Sequence, residues 1–524
     1  MTNVNQVNID ADNQRIEFDL SWEDSWRQDN NEPNNYDGVW VFIKYRDCLE
    51  KGSGNPGNYK HAWLSVNAAD HTIASATVGG TPVTLLVEVG LTNVSGTDRG
   101  MGIFVFQPAG DRIGDVTATT VSLLWKTSQH SPPENGTTNN YDIQVNAIEM
   151  VYVPAASFYL GDGISTYRFY DVTNSNAPVP VTSNAMNIRA DNANYYAALN
   201  PGDASPNISN NYPNGYEAFW VMKYEISQEQ YLQFLNTLSR DIQNTRIATN
   251  ITSAMSGVTN TYIMSNSSSI DSRNAIVVEP TIPVGGEPLR FKMDYNGNRI
   301  YNETGDGANI ACNYLSGYDV LAYLDWAALR PLTEFEFEKM ARGPHAGSFG
   351  YTQQKAWGNA IITEVTGITN PGSPDERASN SGEGICVYNN NGSVGGPLRC
   401  GFAATPTTQD RYHCGASYYG IYELSGNVAE PYMSIARGTT YDDNFQGESG
   451  DGLIDPVSGN ATQATWPQGA DGSADGNNYM LYRGGSYQSV NVANYINISS
   501  RQPYNANAAR YTYSGGRGGR YVNK

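Results

Sequence analysis

From residue 1 to about residue 145 every patterned run has the period of a β-strand and none has the period of a helix, which commits this part of the chain to an all-β unit. The runs are RIEFDLSW at 15–22, VWVFIKYR at 39–46, TIASATV at 72–78, TPVTLLVEVGL at 81–91, GIFVFQP at 102–108, TTVSLLWK at 119–126 and YDIQVNAIEMVYV at 141–153. Asn, Gly, Pro and Asp stand between them and supply turns. The pattern predicts a β-sandwich over 1–145, with Trp22, Trp26, Trp40 and Trp63 in its packing rather than on a ligand platform. No catalytic constellation is visible in it.

After residue 145 helical spacing appears among short strands. Ser227 with Gln230 forms a capping box ahead of Tyr231, Phe234, Leu235 and Leu238 on one face. A second helix starts near Ser316 and carries Val320, Tyr323, Leu324 and Ala327; a third opens with Thr333 and Glu336, runs through Phe337, Met340 and Ala341, and stops at Gly343. The chain therefore divides into a sandwich at 1–145 and an α+β domain at 146–524. Stretches rich in Asn, Gly, Ser, Thr and Asp near 241–310 and 437–480 are long insertions in the latter.

The 524 residues hold 32 Lys and Arg against 52 Asp and Glu, a net charge of -20 that opposes nucleic acid and anionic lipid surfaces. No apolar run approaches the roughly 20 residues that span a bilayer, so membrane insertion is not expected. The first residues have no basic n-region and no apolar h-region, which predicts a product made in the cytoplasm without a cleaved signal peptide. Cys48, Cys312, Cys386, Cys400 and Cys414 are too sparse to staple the chain; they are expected to be free, mostly buried thiols, or to include one disulfide among Cys386, Cys400 and Cys414.

Six segments stand in the order found in one family: IEMVYVPAASFYLGDG at 148–163, AFWVMKYEISQEQYLQFLN at 218–236, GYDVLAYLDWAALRPLTEFEFEKMARG at 317–343, WGN at 357–359, YGIYELSGNVAE at 419–430 and RGGSY at 483–487. Together they resemble the formylglycine-generating-enzyme, or sulfatase-modifying-factor, family. The resemblance implies a C-type lectin-like fold with long loops. It also implies a place for the copper-binding cysteine pair of the family's enzymes, shortly after RGGS, and the best matches there are Ser489 and Asn494. Neither supplies a thiolate, so no copper is expected and the chain is read as a catalytically degenerate member. The iron-dependent branch of the family has a His-x-x-x-His-x-Glu site, and the histidines here lack that spacing. Arg330, Pro331 and Leu332 invert the family's usual order, and Phe337 replaces its usual Trp.

The resemblance further implies structural calcium on Glu423, Gly426, Val428 and Glu430, and a second calcium position on Asn380, Ser381, Asn390 and Gly392. The segment after RGGS presents ligand contacts in this fold. Here it offers Tyr487, Asn491, Asn494, Tyr495, Arg501, Tyr504, Tyr511 and Tyr513, a mixture of rigid rings and adaptable polar groups that resembles a paratope. A plainer reading, in which Tyr and Asn only fill β-rich loops, stays open. The function expected is a non-catalytic structural or receptor-binding component of an extracellular particle such as a phage tail or contractile injection system. Its partners would be other subunits of a large assembly, or virion, and a cell-surface carbohydrate or protein receptor. The alternatives are a cytoplasmic formylglycine-generating oxidase and a gliding or cell-surface structural protein.

Overall fold

The computed structural model describes residues 1–47, 59–130, 141–165, 168–171, 177–184, 196–198, 211–251, 258–280, 287–344, 353–389, 394–405, 408, 410–434, 445–466, 480–489, 493–501 and 506–521. The N-terminal unit contains β1 (Thr2–Asp10), β2 (Asn13–Arg27), β3 (Asp37–Asp47), β4 (Lys60–His61), β5 (Thr72–Val78), β6 (Thr81–Val83), β7 (Leu86–Val94), β8 (Thr97–Phe106), β9 (Arg112–Trp125) and β10 (Tyr141–Val153). One sheet has the order β1-β2-β9-β5-β6; in the other, β7, β8, β3 and β10 lie side by side, with β4 on β3. The predicted sandwich is therefore present. Strand β1 was not among the predicted runs, because TNVNQVNID is polar and mostly exposed, and the run at 81–91 is split between β6 and β7.

Burial explains the two kinds of strand. In β2, Ile16, Phe18, Leu20 and Trp22 are buried and alternate with more exposed residues, as expected for a strand with one wet face. In β3 the run VWVFIKY is buried on both faces. Val39, Val41, Ile43 and Tyr45 meet Ile16, Phe18 and Val121 inside the sandwich, whereas Trp40 and Phe42 point the other way, into a second core with Trp326 and Ala327. A continuous apolar strand is the signature of a middle layer, and β3 occupies one.

Strand β10 crosses the position where the sequence changes texture. Residues 141–151 pair with β3, and Met150 to Val153 pair with the strand Phe219–Met222, which pairs in turn with Gly519–Tyr521. On one face of β10, Val145 packs in the sandwich while Val151 and Val153 pack with Phe337 and Met340 of the following domain. A single sheet thus runs through both units.

The helices follow their caps. Helix α1 (Gln228–Leu235) has both arms of the Ser227/Gln230 box, and α2 (Arg240–Thr245) is a short addition. Helix α3 (Gly317–Trp326) has the Ser316/Asp319 box and α4 (Glu334–Arg342) the Thr333/Glu336 box, with Gly343 as its C-cap; α5 (Arg411–Cys414) is a single turn. Phe234 of α1 packs edge-on against Tyr323 and Trp326 of α3, at ring separations of 5.9 and 5.3 Å. The 241–310 region adds Ile242, Ile263, Met264, Ile276 and Phe291 to the same core, so it is folded onto the body. In the 437–480 region the described residues 445–466 bury Phe445 and Trp466.

Candidate functional site

Helix α4 organises the site from beneath. Its sequence EFEFEK puts Glu334, Glu336 and Glu338 in the interior, where each carboxylate needs a cation. Arg330 pairs with Glu336 through two bonds of 2.9 and 2.6 Å. Arg483, the first residue of RGGSY, bridges Glu334 at 2.7 Å and Glu338 at 3.0 Å, with its guanidinium over the Phe337 ring. Arg501 holds the other side of Glu334 at 2.9 and 2.8 Å and donates to Ser434 Oγ at 3.2 Å. Burial opposes ionisation of Glu334, but Arg501 and Arg483 outweigh it and hold this carboxyl below its usual range.

Arg501 was expected among the ligand contacts. It is fully buried as the counterion of Glu334, so it does not reach a ligand on the surface. Tyr487 is also interior, with its hydroxyl donating to Thr512 O at 3.2 Å and its N–H to Asn427 O. Tyr511 and Tyr513 are half-buried and stacked at 5.1 Å, and Tyr495 is half-buried as well. Asn491 and Tyr504 lie outside the described residues, as does the side chain of Asn494. Of the expected ligand contacts, Tyr495, Tyr511 and Tyr513 are the ones that keep partial exposure among the described residues.

At the first position of the family's cysteine pair, Ser489 Oγ accepts the Ser486 N–H at 2.9 Å while Ser489 N–H donates to Ser486 O at 3.0 Å. The hydroxyl closes a turn. Cys312, Cys386 and Cys400 are buried and Cys414 is half-buried, all as free thiols, and burial pushes each thiol above its usual pKa. Cys48 lies outside the described residues.

The loop 423–430 sits against these turns: Gly426 N–H donates to Gly484 O, and Ala429 N–H to Tyr513 O. Gly426 has φ of 97°, and a Cβ there would fall 2.8 Å from Val387 O, so the turn itself demands glycine. Glu430, expected to hold calcium, is chelated by Arg517, with Nε to Oε1 and Oε2 at 3.0 and 3.2 Å and Nη2 to Oε1 at 2.9 Å; Tyr432 donates its hydroxyl to Oε2. A carboxylate has about four acceptor sites, and these bonds use them all. Arg517 also donates to the carbonyls of Met222, Lys223 and Tyr422 at 2.8, 3.1 and 2.6 Å. The guanidinium brings the positive charge this loop requires, and Glu430 does not fit as a calcium ligand. Glu423 accepts from Gly401 N–H at 2.9 Å through Oε1, and burial raises its pKa to about 7. Val428 N–H and Asn427 Nδ2 donate to Glu225 at 3.0 and 2.6 Å.

At the second expected position, Asn380 Oδ1 accepts from Thr366 N–H and its Nδ2 donates to Glu364 O, which gives it a structural occupation. Ser381 is described beside it, whereas Asn390 and Gly392 lie outside the described residues. Among the described residues no three His, Cys, Asp or Glu side chains gather as a metal site.

Sequence reasoning missed Glu225 and Arg517. Burial and the nearby carboxylates of Glu430 and Glu423 drive the Glu225 pKa well up, and the buried carboxyl pins the loop through the bonds it accepts from Val428 N–H and Asn427 Nδ2. The only trace in the sequence was the charge of each inside an otherwise apolar or glycine-rich segment.

Residues 144–517 match the family model of the sulfatase-modifying factor enzyme 1-like domain. Among solved structures, Treponema denticola variable protein 1 is 13% identical, over 71% of this chain and 95% of that one, with a TM-score of 0.26. No curated protein matches.

Proposed function

This chain belongs to the sulfatase-modifying factor family, and we propose that it is a non-catalytic member, a structural or ligand-binding component of an extracellular particle such as a phage tail or contractile injection system. The observation that carries the absence of catalysis is Ser489. Where the family's enzymes place a thiolate, this chain has a hydroxyl already engaged by the Ser486 N–H. A hydroxyl is a hard, protonated ligand with little affinity for copper(I), and the described thiols stand elsewhere with raised pKa values, three of them buried and Cys414 half-buried. Stacked Tyr511 and Tyr513 support contact with a carbohydrate or protein, since such rings give large contact area at low entropic cost. The sandwich would dock the subunit on its neighbours and leave the family domain facing outward. Calcium is not assigned a role, because Arg517 neutralises Glu430.

Two experiments test this. Purified protein supplied with copper(I), oxygen and a cysteine-containing sulfatase peptide is expected to form no formylglycine, as read by peptide mass; turnover would restore the oxidase. Sedimentation of a native lysate, with the chain followed by mass spectrometry and immunogold labelling, is expected to recover it on a particle. Recovery only as a small soluble species would refute the particle.

A further inference from the structure

Where the sandwich meets the family domain there is an open cleft of about 1050 Å³, away from residues 487–513. Ligand sites of about 300–1,000 Å³ are typical for small molecules and concentrate at domain junctions, so this one has room for a chain of several units. Both units build its walls. Asn35 donates to Tyr419 O at 2.8 Å, and Tyr418 donates its hydroxyl to Glu32 at 2.7 Å, which fixes the rim across the junction.

The lining selects the ligand by chemistry. Trp26, Tyr418 and Tyr422 contribute half-buried rings, surfaces on which the C–H face of a sugar can lie. Exposed carboxylates of Glu23, Asp24, Asp375 and Asp410 outnumber the guanidinium groups of Arg377, Arg399 and Arg411 by four to three, and with the net charge of -20 they disfavour anions. That disfavours phosphates, uronic acids and sialylated glycans. A wholly apolar ligand would leave these polar groups unpaired. Half-buried Gln28, on the sandwich side, offers an amide donor, and half-buried Arg411, whose guanidinium lies over the Tyr412 and Tyr418 rings at 5.3 and 5.7 Å, offers a charged one. We infer that this junction cleft binds an uncharged oligosaccharide. The site is separate from the tyrosine face and does not depend on the particle assignment, so the two fail independently.

The test uses the full-length protein on a panel of immobilised neutral, sulfated and sialylated oligosaccharides and unrelated peptides, followed by titration calorimetry on the best binder and by the change in tryptophan fluorescence that Trp26→Phe removes. A neutral oligosaccharide is expected to bind. Gln28→Ala and Arg411→Ala should each weaken it by about tenfold, the loss of one good hydrogen bond, while Tyr511→Ala and Tyr513→Ala leave it unchanged. Circular dichroism checks that the variants fold, and Gln28→Ala alone suffices if Arg411→Ala does not. The inference is overturned by binding to no neutral oligosaccharide, by preference for the anionic glycans or a peptide, or by loss confined to the two tyrosine variants.

Discussion

Replacing Trp40 by Ala is the sharpest test of how the two units are joined. The ring is fully buried in the layer between sandwich and helices, donates Nε1–H to Ala327 O at 2.9 Å, and packs 4.7 Å from Phe104 with the Arg520 guanidinium 4.8 Å from its centre. Its space is cut from backbone, since a Cβ on Gly90 or Gly102 would come within 2.5 or 2.7 Å of ring atoms. Neighbours made of strand backbone relax little into a cavity, so Trp40→Ala should cost about 3–5 kcal/mol in packing, and the stranded Ala327 carbonyl about 1 kcal/mol more. Unfolding entropy near 2.1 cal/mol/K per residue gives about 1.1 kcal/mol/K if all 524 residues unfold together, so a loss of about 5 kcal/mol lowers Tm by about 4–5 °C. If the first 145 residues unfolded by themselves, the entropy would be about 0.3 kcal/mol/K and their transition would drop by about 16 °C. Differential scanning calorimetry separates these outcomes. One transition moved by the smaller amount is expected; two transitions, of which only one moves, would refute the coupling.

Other consequences are open to direct measurement. Arg517→Met strands Glu430 without its cation and should cost about 3–5 kcal/mol in urea unfolding, whereas adding EGTA to the wild type should leave its midpoint where it was. Glu423 has a folded pKa of about 7 against an ordinary 4.5, so its contribution is full below pH 4.5 and is lost as pH rises through about 7; Glu423→Gln should flatten the fall in Tm across that window. Native protein treated with iodoacetamide at pH 8 should carry no label on Cys312, Cys386 and Cys400 by peptide mapping, with full labelling after denaturation.

Local rules were legible. The capping boxes read at Ser227 and Thr333 formed because each needs only residues three apart, the helix start read near Ser316 proved to carry a third box with Asp319, and six of the β-runs became single strands because side-chain alternation is a local pattern. The double burial of VWVFIKY was written in its lack of polar alternation, although the identity of the second face was not. Long-range charge pairing was invisible. Glu430 finds Arg517 87 positions away and Glu334 finds Arg501 167 positions away, distances at which spacing says nothing about proximity. For that reason Glu430 reads as a metal ligand and Arg501 as a surface contact in sequence, when both are interior counterions. The register of β10 across two partners was equally hidden, because the same alternation serves both cores.

That shared strand makes the molecule a lever without a pivot. A ladder of residue pairs from Tyr141↔Asp47 to Val151↔Asp37 joins β10 to β3, and β10 then runs on into the family domain. Tension along β10 loads these hydrogen bonds in shear, all at once, instead of peeling them in succession. In an array of such subunits the outward faces would keep a set tilt and spacing. Binding sites held at a set spacing gain effective concentration only on a surface whose receptors match it, so the geometry of the mount would enter into what the array can grip.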